Sequence, residues 1–398
     1  MDELVRAALP ALNAVGWALV HTLWVGALLW IVARCAVSLV SPQNPTIRYF
    51  IWYATFALIL ILPFRMGSLL MQEHARHRVW AVATADTVLA RMSAELMAGS
   101  PENSNPIVES QAVRLEIERM HDQMNPTPVR SDAAITLALA MAFLAIAWGT
   151  LTIWRLDRFI RGWLRVRRIS ELARGAPPVS WTSALRRVCR RMVISRPIRL
   201  VTSHYIGSPF VFGWREPIVM IPAATCEDFS DSEAEAILAH EVAHVKQRDY
   251  VFNMLQAMGE ALLFFHPGVH RISAHISEER EFRSDDKASR SIDGNWISYG
   301  AALAKLEASR PPEHAVALSA RGGCLLTRIS RLREANATRS RFRSAIAIAV
   351  LLIVVQLAVV GVATKPSGFV VDTAANAIMK YDLQTFPICA GDGCEPRN

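Results

Sequence analysis

Two histidines stand four residues apart in the stretch LAHEVAHVKQRDY, which begins at Leu238, and a glutamate follows the first of them. Four residues make slightly more than one turn of a helix, so His240 and His244 would project from the same face. Two imidazoles placed in this way can hold one Zn²⁺, and Glu241 beside them can take a proton from a water molecule. The pattern predicts a zinc peptidase site, with a helix that carries two histidines by chance as the alternative.

A third metal ligand is available further along the chain, in the stretch SEEREFRSDD. Zinc sites with two histidines commonly take a carboxylate as the third protein ligand. Glu281 can fill that role, and Asp285, one helical turn later, can orient a ligand histidine from behind. Asp286 is an alternative ligand, and a solvated, charged helix face is the alternative without a metal.

The sequence also predicts the helix and the strands that hold these residues. Ser230 and Glu233 form a capping box, which predicts a helix that starts at about Asp231. Upstream, three short strands are predicted from RLVTS, FVFGW and PIVMIPA, which start at Arg199, Phe210 and Pro217. A strand edge beside a zinc helix can pair an extended peptide through main-chain hydrogen bonds, so the arrangement favours peptide hydrolysis.

The chain around this site is apolar for its 398 residues, with 52% hydrophobic residues and a mean hydropathy of +0.23. The excess lies in four uncharged runs: Ala7–Ala33, Tyr49–Phe64, Ala133–Trp154 and Ser344–Thr364. A membrane-spanning helix needs about 20 apolar residues, so we expect four membrane helices. The first run is too long for a signal peptide and lacks a small-residue cleavage site, which predicts a retained anchor.

This reading divides the chain into six parts. They are two membrane helices in 1–64, an extracytoplasmic loop in 65–132, a third helix in 133–154, a metallopeptidase domain in 155–343, a fourth helix in 344–364 and an extracytoplasmic tail in 365–398. The helix YVFNMLQAMGEALLFF, from Tyr250, is predicted to belong to the core. A membrane crossing there would separate Glu281 from His240.

Arginines at the ends of the apolar runs predict the orientation, because they resist translocation. They cluster in Arg155–Arg168 and Arg339–Arg343, on both flanks of the peptidase domain. We therefore expect a multi-pass protein of the bacterial inner (cytoplasmic) membrane, with the catalytic domain in the cytoplasm and both termini outside. The net charge of +8 then suits anionic lipid. No recognition motif predicts a direct nucleic-acid partner.

Four stretches in this order resemble the β-lactam-sensing antirepressor metallopeptidases of the BlaR/MecR type: SPFVFGWREPIVMIPA, AILAHEVAHVKQRDY, FFHP and EREFRSDD. The resemblance covers about 1–364. It implies a zincin-like (gluzincin) α+β domain inserted among four membrane helices, and one Zn²⁺ per chain held by His240, His244 and Glu281. It also implies that Glu241 is the general base and that the substrate is a cytoplasmic DNA-binding repressor.

The sequence departs from this family in its tail. Antibiotic sensors of the family carry a penicillin-binding domain with a Ser-x-x-Lys nucleophile, whereas Ala377 stands three residues before Lys380. We therefore expect that the stimulus is not a covalent antibiotic reaction. A disulfide between Cys389 and Cys394 would suit docking to an extracytoplasmic protein partner.

Three functions remain open at this point. The first is an endopeptidase that cleaves a cytoplasmic protein in response to an envelope signal. The second is a constitutive quality-control protease of the membrane, and the third is a catalytically idle transducer that uses the domain to bind a partner. The arginine-rich stretch Arg328–Arg343 is expected to lie exposed, as a site of self-cleavage.

Overall fold

The computed structural model describes residues 2–98, 132–172, 175–292, 296–309 and 325–335, together with Gln356. Apart from Gln356, the fourth apolar run lies outside the described residues. So do the tail with Cys389 and Cys394 and residues 99–131 of the predicted extracytoplasmic loop. Gln356 donates a hydrogen bond to Thr55 Oγ1 at 2.7 Å.

Among the described residues, three long helices are apolar enough to cross a membrane. They are α1 (Asp2–Ser38), α2 (Pro45–Ala98) and α3 (Asp132–Leu172), with candidate spans at Ala8–Ser38, Pro45–Gln72 and Thr136–Glu171. Each helix is longer than the apolar run that predicted it. Helical hydrogen bonding does not depend on apolar side chains, so an apolar run marks the span and not the helix ends. The predicted domain boundary at residue 155 therefore falls inside α3.

The chain divides into two compact units. The first contains the described residues of Met1–Thr22 and Leu62–Gly149. Within it, α1 and α3 approach closely, because a Cβ added at Gly16 would lie only 2.3 Å from the carbonyl oxygen of Met141. Small residues at such crossings are typical of helices packed in a membrane.

The second unit contains the described residues of Leu23–Ile61 and Thr150–Val360. After α3 its elements are α4 (Val179–Arg191), β1 (Arg199–Ser203), β2 (Phe210–Phe212), β3 (Ile218–Pro222), α5 (Ala223–Asp228), α6 (Asp231–Gln247), α7 (Asp249–Leu262), α8 (Pro267–Ser291), α9 (Trp296–Ala308) and α10 (Leu325–Ala335). The three predicted strands and a helix after Asp249 are thereby confirmed, although Leu255 and Met258 of that helix are exposed.

The three strands form one sheet in the order β1–β3–β2. β1 runs parallel to β3, with Arg199 opposite Ile218, and β2 runs antiparallel to it, with Phe210 opposite Met220. β2 is therefore an edge strand of the described sheet, and it packs against α6. Its outer backbone groups have no strand partner among the described residues.

Helix α6 lies at the centre of this unit and packs against α4, α8 and α9. Its alanines at 234, 236, 239 and 243 are buried, and their small size lets these neighbours come close. Larger buried side chains fill the spaces between the helices, namely Trp181, Leu185, Ile237, Leu238, Val242, Tyr299 and Leu303. Each such side chain stabilises the fold by roughly 1.5–3 kcal/mol, which fixes α6 firmly in place.

The start of α8 is joined to the membrane helix α1. His266 is only 1% exposed, and its Nδ1 accepts a hydrogen bond from the backbone N–H of Val269, which caps α8. A Cβ added at Gly26 in α1 would lie 2.2 Å from Nε2 of this histidine. The imidazole therefore fills the space that a side chain at position 26 would need.

The arginine-rich stretch from Arg328 onward was predicted to lie exposed; Arg333 is exposed as predicted, but the prediction is wrong for Arg328 and Arg331. Arg331 is buried, and both arginines form ion pairs with aspartates on α8. Buried arginines require such partners, and the partners lie more than forty residues away in sequence. The composition of the arginine run alone does not reveal these aspartate partners.

Candidate metal centre

The two histidines of the H-E-x-x-H stretch lie side by side on α6. The predicted capping box fixes the start of this helix: Ser230 Oγ accepts a hydrogen bond from the backbone N–H of Glu233, and Glu233 Oε2 accepts one from that of Ser230. Three turns later the Nε2 atoms of His240 and His244 are 3.1 Å apart. The helical spacing thus gives the shared face that the sequence predicts.

Glu281 on α8 completes a triangle with these two nitrogens. Its Oε2 lies 3.3 Å from Nε2 of His240 and 3.9 Å from Nε2 of His244. Zinc binds nitrogen and oxygen at about 2.0–2.2 Å in a tetrahedron, which puts ligand atoms roughly 3.3 Å apart. The three residues therefore fit a single zinc ion. They also form the only group of metal-ligand type among the described residues.

The second ring nitrogen of His240 faces a buried polar group. Its Nδ1 lies 2.9 Å from the hydroxyl of Tyr299 and 3.2 Å from Oδ1 of Asp285. Tyr299 in turn donates to Asp285 Oδ1 at 2.8 Å, and Arg328 donates to both carboxylate oxygens of Asp285. A proton on Nδ1 fits these acceptors, which leaves the Nε2 lone pair free to bind a metal.

The second ring nitrogen of His244 has different partners. Its Nδ1 lies 2.8 Å from Oδ2 of Asp249 and 3.1 Å from Oγ of Ser284. Asp249 opens α7 directly after Arg248, which adopts the left-handed conformation with φ 58° and ends α6. This sharp change of direction brings Asp249 back beside His244.

The charges of the site follow from this network. Burial opposes ionisation of Glu281, but the neighbouring His244, His240 and Arg328 outweigh it and hold the pKa of this carboxyl well below its usual range. Burial also opposes ionisation of Asp285, yet Arg328 holds its pKa below the usual range. Burial would lower the pKa of His240, but hydrogen bonds to Asp285 and Glu281 raise it to about 9. The site thus concentrates negative charge beside two imidazoles, which suits a cation.

Two further residues were predicted from the sequence to act at the site. Glu241 lies on α6 directly after His240 and is 7% exposed. The carboxylate of Asp286, the alternative ligand, is held by Arg331 at 2.9 and 3.0 Å, and it is not part of the three-residue group.

Sequence reasoning missed Asp249, Tyr299 and Arg328. Asp249 left a weak signal, because an aspartate five residues after the second histidine can reach it only if the helix breaks between them. Tyr299 and Arg328 left none, since they come from α9 and α10 and meet His240 only in the folded chain.

The edge strand β2 is linked to neighbouring helices by aromatic contacts. Phe212 meets the ring of Tyr250 edge-on, with ring centroids 5.3 Å apart. The hydroxyl of Tyr250 accepts a hydrogen bond from Trp163 Nε1 of α3 at 2.7 Å. Tyr250 therefore links the edge strand to the basic end of α3.

The sequence of this chain is similar to those of one protein family and of several known proteins. The sequence profile of a family described as BlaR1 peptidase M56 matches residues 15–332. The methicillin resistance mecR1 protein of Staphylococcus aureus is 25% identical over 142 residues, which are 35% of this chain and 24% of that protein. The regulatory protein BlaR1 of Bacillus licheniformis is 27% identical over 117 residues, or 29% of this chain and 18% of that protein. These matches thus span a quarter or less of the length of the two relatives.

Among solved structures, the crystal structure of S. mikatae Ste24p aligns with 79% of this chain and 98% of its own. The TM-score is 0.34 and the sequence identity is 10%. At this score the likeness does not establish a common fold.

Proposed function

The chain belongs to the BlaR1 peptidase M56 family, and on this premise we propose that it is an integral-membrane zinc endopeptidase that cleaves a cytoplasmic protein in response to an envelope signal. The observation that carries the proposal is the triangle of His240, His244 and Glu281. Each histidine also has a hydrogen-bonded carboxylate behind its second nitrogen. A zinc ion bound there would supply a Lewis acid that polarises a peptide carbonyl.

Glu241 is the proposed general base. It would accept a proton from a water molecule in the site and pass it to the amine that leaves when the peptide bond breaks. Its position next to His240 on a rigid, buried helix favours this role, because α6 holds the carboxylate and the imidazole in a fixed relation.

The edge strand β2 is the proposed docking site for the substrate. An extended peptide can pair with its outer backbone groups and become a further strand of the sheet. Because β2 packs against α6, a peptide bound in this way would lie beside the helix that carries the histidines.

We propose that the metal centre faces the cytoplasm and that both termini lie outside. The arginines from Arg155 to Arg168, which resist translocation, support this orientation. The substrate is proposed to be a DNA-binding repressor, since two relatives are named as regulatory and resistance proteins. The chain itself would contact lipid and protein but not DNA.

The signal is proposed to be a protein contact or an envelope condition, read outside by the loop 65–132 and the tail 365–398 together, and not a covalent antibiotic reaction. Deletion of residues 366–398 should then alter cleavage of the substrate in cells without changing zinc content. Identical cleavage with and without the tail under every envelope stress tried would exclude the tail from the sensor.

The proposed chemistry is tested by Glu241→Gln, with Glu235→Gln as the control. Both changes replace a glutamate on α6 by its amide, but Glu235 forms ion pairs with Arg187 and Arg191, away from the histidines. Glu241→Gln should keep the metal and lower the rate of cleavage by about 10²–10⁴-fold, the usual contribution of a general base. Glu235→Gln should retain both metal and cleavage.

The same pair of variants identifies the substrate. A cytoplasmic protein that accumulates intact with Glu241→Gln and not with Glu235→Gln is the expected target. Unchanged proteolysis in the Glu241→Gln protein would rule out the mechanism and favour a domain that only binds its partner.

A further inference from the structure

Helix α10 reaches α8 through two arginine–aspartate pairs of the same kind. Arg328 Nε and Nη2 donate to Asp285 at 2.8 and 2.6 Å. One turn later, Arg331 Nη1 and Nη2 donate to Asp286 at 2.9 and 3.0 Å. Both pairs hold the two helices together, but only Asp285 contacts a proposed metal ligand.

The Arg328 fork fixes the orientation of the Asp285 carboxylate. A bidentate arginine engages both carboxylate oxygens and holds their plane. Oδ1 then accepts from Tyr299 and lies 3.2 Å from Nδ1 of His240. Asp285 is completely buried and the Arg328 side chain is 15% exposed, so bulk water cannot easily replace the guanidinium.

We propose that Arg328 is a positioning residue of the metal centre. It fixes Asp285 and, through Asp285 and Tyr299, orients the imidazole of His240 so that Nε2 points at the metal. This inference rests on the proposed function only in taking His240 as a metal ligand.

The hydrogen bonds of Arg328 favour metal binding, whereas its positive charge opposes it. Its Nη1 lies 3.8 Å from Oε2 of Glu281, so the guanidinium is a positive charge close to the place where a metal cation would bind. If charge dominated, removal of the guanidinium would tighten metal binding. If orientation dominates, removal weakens it, and the sign of the change separates the two effects.

The experiment compares Arg328→Gln, Arg328→Lys and the matched control Arg331→Gln in the purified full-length protein. Affinity for Zn²⁺ and Co²⁺ is measured by competition with a chromophoric chelator, the visible spectrum of bound Co²⁺ reports its coordination, and thermal unfolding reports stability. Loss of a hydrogen-bonded partner behind a ligand typically costs about 10–100-fold in metal affinity. Both Arg328 variants should show this loss and an altered Co²⁺ spectrum.

Arg331→Gln should lower the unfolding temperature but leave metal affinity and the Co²⁺ spectrum as in the wild type. Equal losses of affinity in Arg328→Gln and Arg331→Gln would mean that both arginines only clamp α10, which overturns the proposal. Tighter binding in Arg328→Gln, or wild-type affinity in Arg328→Lys, would overturn it as well, because charge and not the fork would then matter. A wild-type protein that binds neither metal would instead refute the proposed function.

Discussion

Replacement of Asp249 by asparagine should weaken metal binding without weakening the fold. Asp249 is 4% exposed, and its Oδ2 lies 2.8 Å from Nδ1 of His244. Its other oxygen has no hydrogen-bond partner among the described residues. The carboxylate therefore serves the histidine on one side and is buried without compensation on the other.

The changes in metal affinity and in stability that Asp249→Asn would cause can be estimated from these contacts. A hydrogen bond to a charged group contributes about 1.5–3 kcal/mol. Asparagine still offers a carbonyl oxygen, and Ser284 Oγ remains 3.1 Å from Nδ1 of His244, so we expect the lower end of that range. A loss of about 1.5 kcal/mol corresponds to roughly tenfold weaker metal binding. One oxygen of the Asp249 carboxylate already lacks a partner among the described residues, and burial of a neutral amide costs less than burial of a charge, so stability without metal should not fall.

The assay combines metal competition with thermal unfolding in the presence of a strong chelator. Asp231→Asn is the control, because Asp231 also lies in the first turn of a helix, α6, but is exposed and does not contact a histidine. Loss of a first-turn charge alone changes stability by about 0.3–1 kcal/mol and should not alter metal affinity.

Two results would contradict this prediction for Asp249. If Asp249→Asn binds zinc as tightly as the wild type, the carboxylate does not orient His244. If it instead unfolds several degrees earlier in chelator, Asp249 is a stabilising residue of the fold and its place beside the histidine is incidental.

Three more outcomes are expected. Glu281→Ala should lose zinc while Asp286→Ala retains it, as measured by metal analysis of the purified proteins. The reverse result would mean that Asp286, and not Glu281, is the metal ligand. Burial and the nearby Glu227 raise the pKa of Cys226 to about 11, so on the order of one thiol in a thousand is ionised at pH 8. Alkylation of Cys226, followed by peptide mass spectrometry, should accelerate up to about pH 11, and a plateau below pH 9 would contradict this. A cysteine at the exposed position of Ser232 should react with a membrane-impermeant reagent only after cells are permeabilised, and labelling of intact cells would reverse the proposed orientation.

Some features of the site could be predicted from the sequence because they depend only on residues that are close together in the chain. The capping box of Ser230 and Glu233 and the one-turn spacing of His240 and His244 are set by helix geometry alone. These features place α6 and its histidine face without knowledge of any other element. Strand positions were equally local, since Gly207 and Gly213 break the apolar runs around β2.

The supporting contacts of the site depend on tertiary packing and could not be predicted in the same way. Arg328 belongs to a run of arginines whose composition suggests a solvated linker, yet it pairs with an aspartate 43 residues earlier. Tyr299 reaches His240 only because α9 packs on α6. The ends of α2 and α3 were also missed, because hydropathy measures suitability for lipid and not the continuity of a helix.

The contact between Gly26 and His266 couples two positions that are 240 residues apart in the chain. A methyl group at position 26 would displace the imidazole, and the imidazole is the cap of the helix that carries Glu281. Substitution of Gly26 should therefore be tolerated only together with a smaller residue at position 266. An alanine at position 26, although it lies in the first membrane helix, is therefore expected to disturb the start of the helix that carries Glu281.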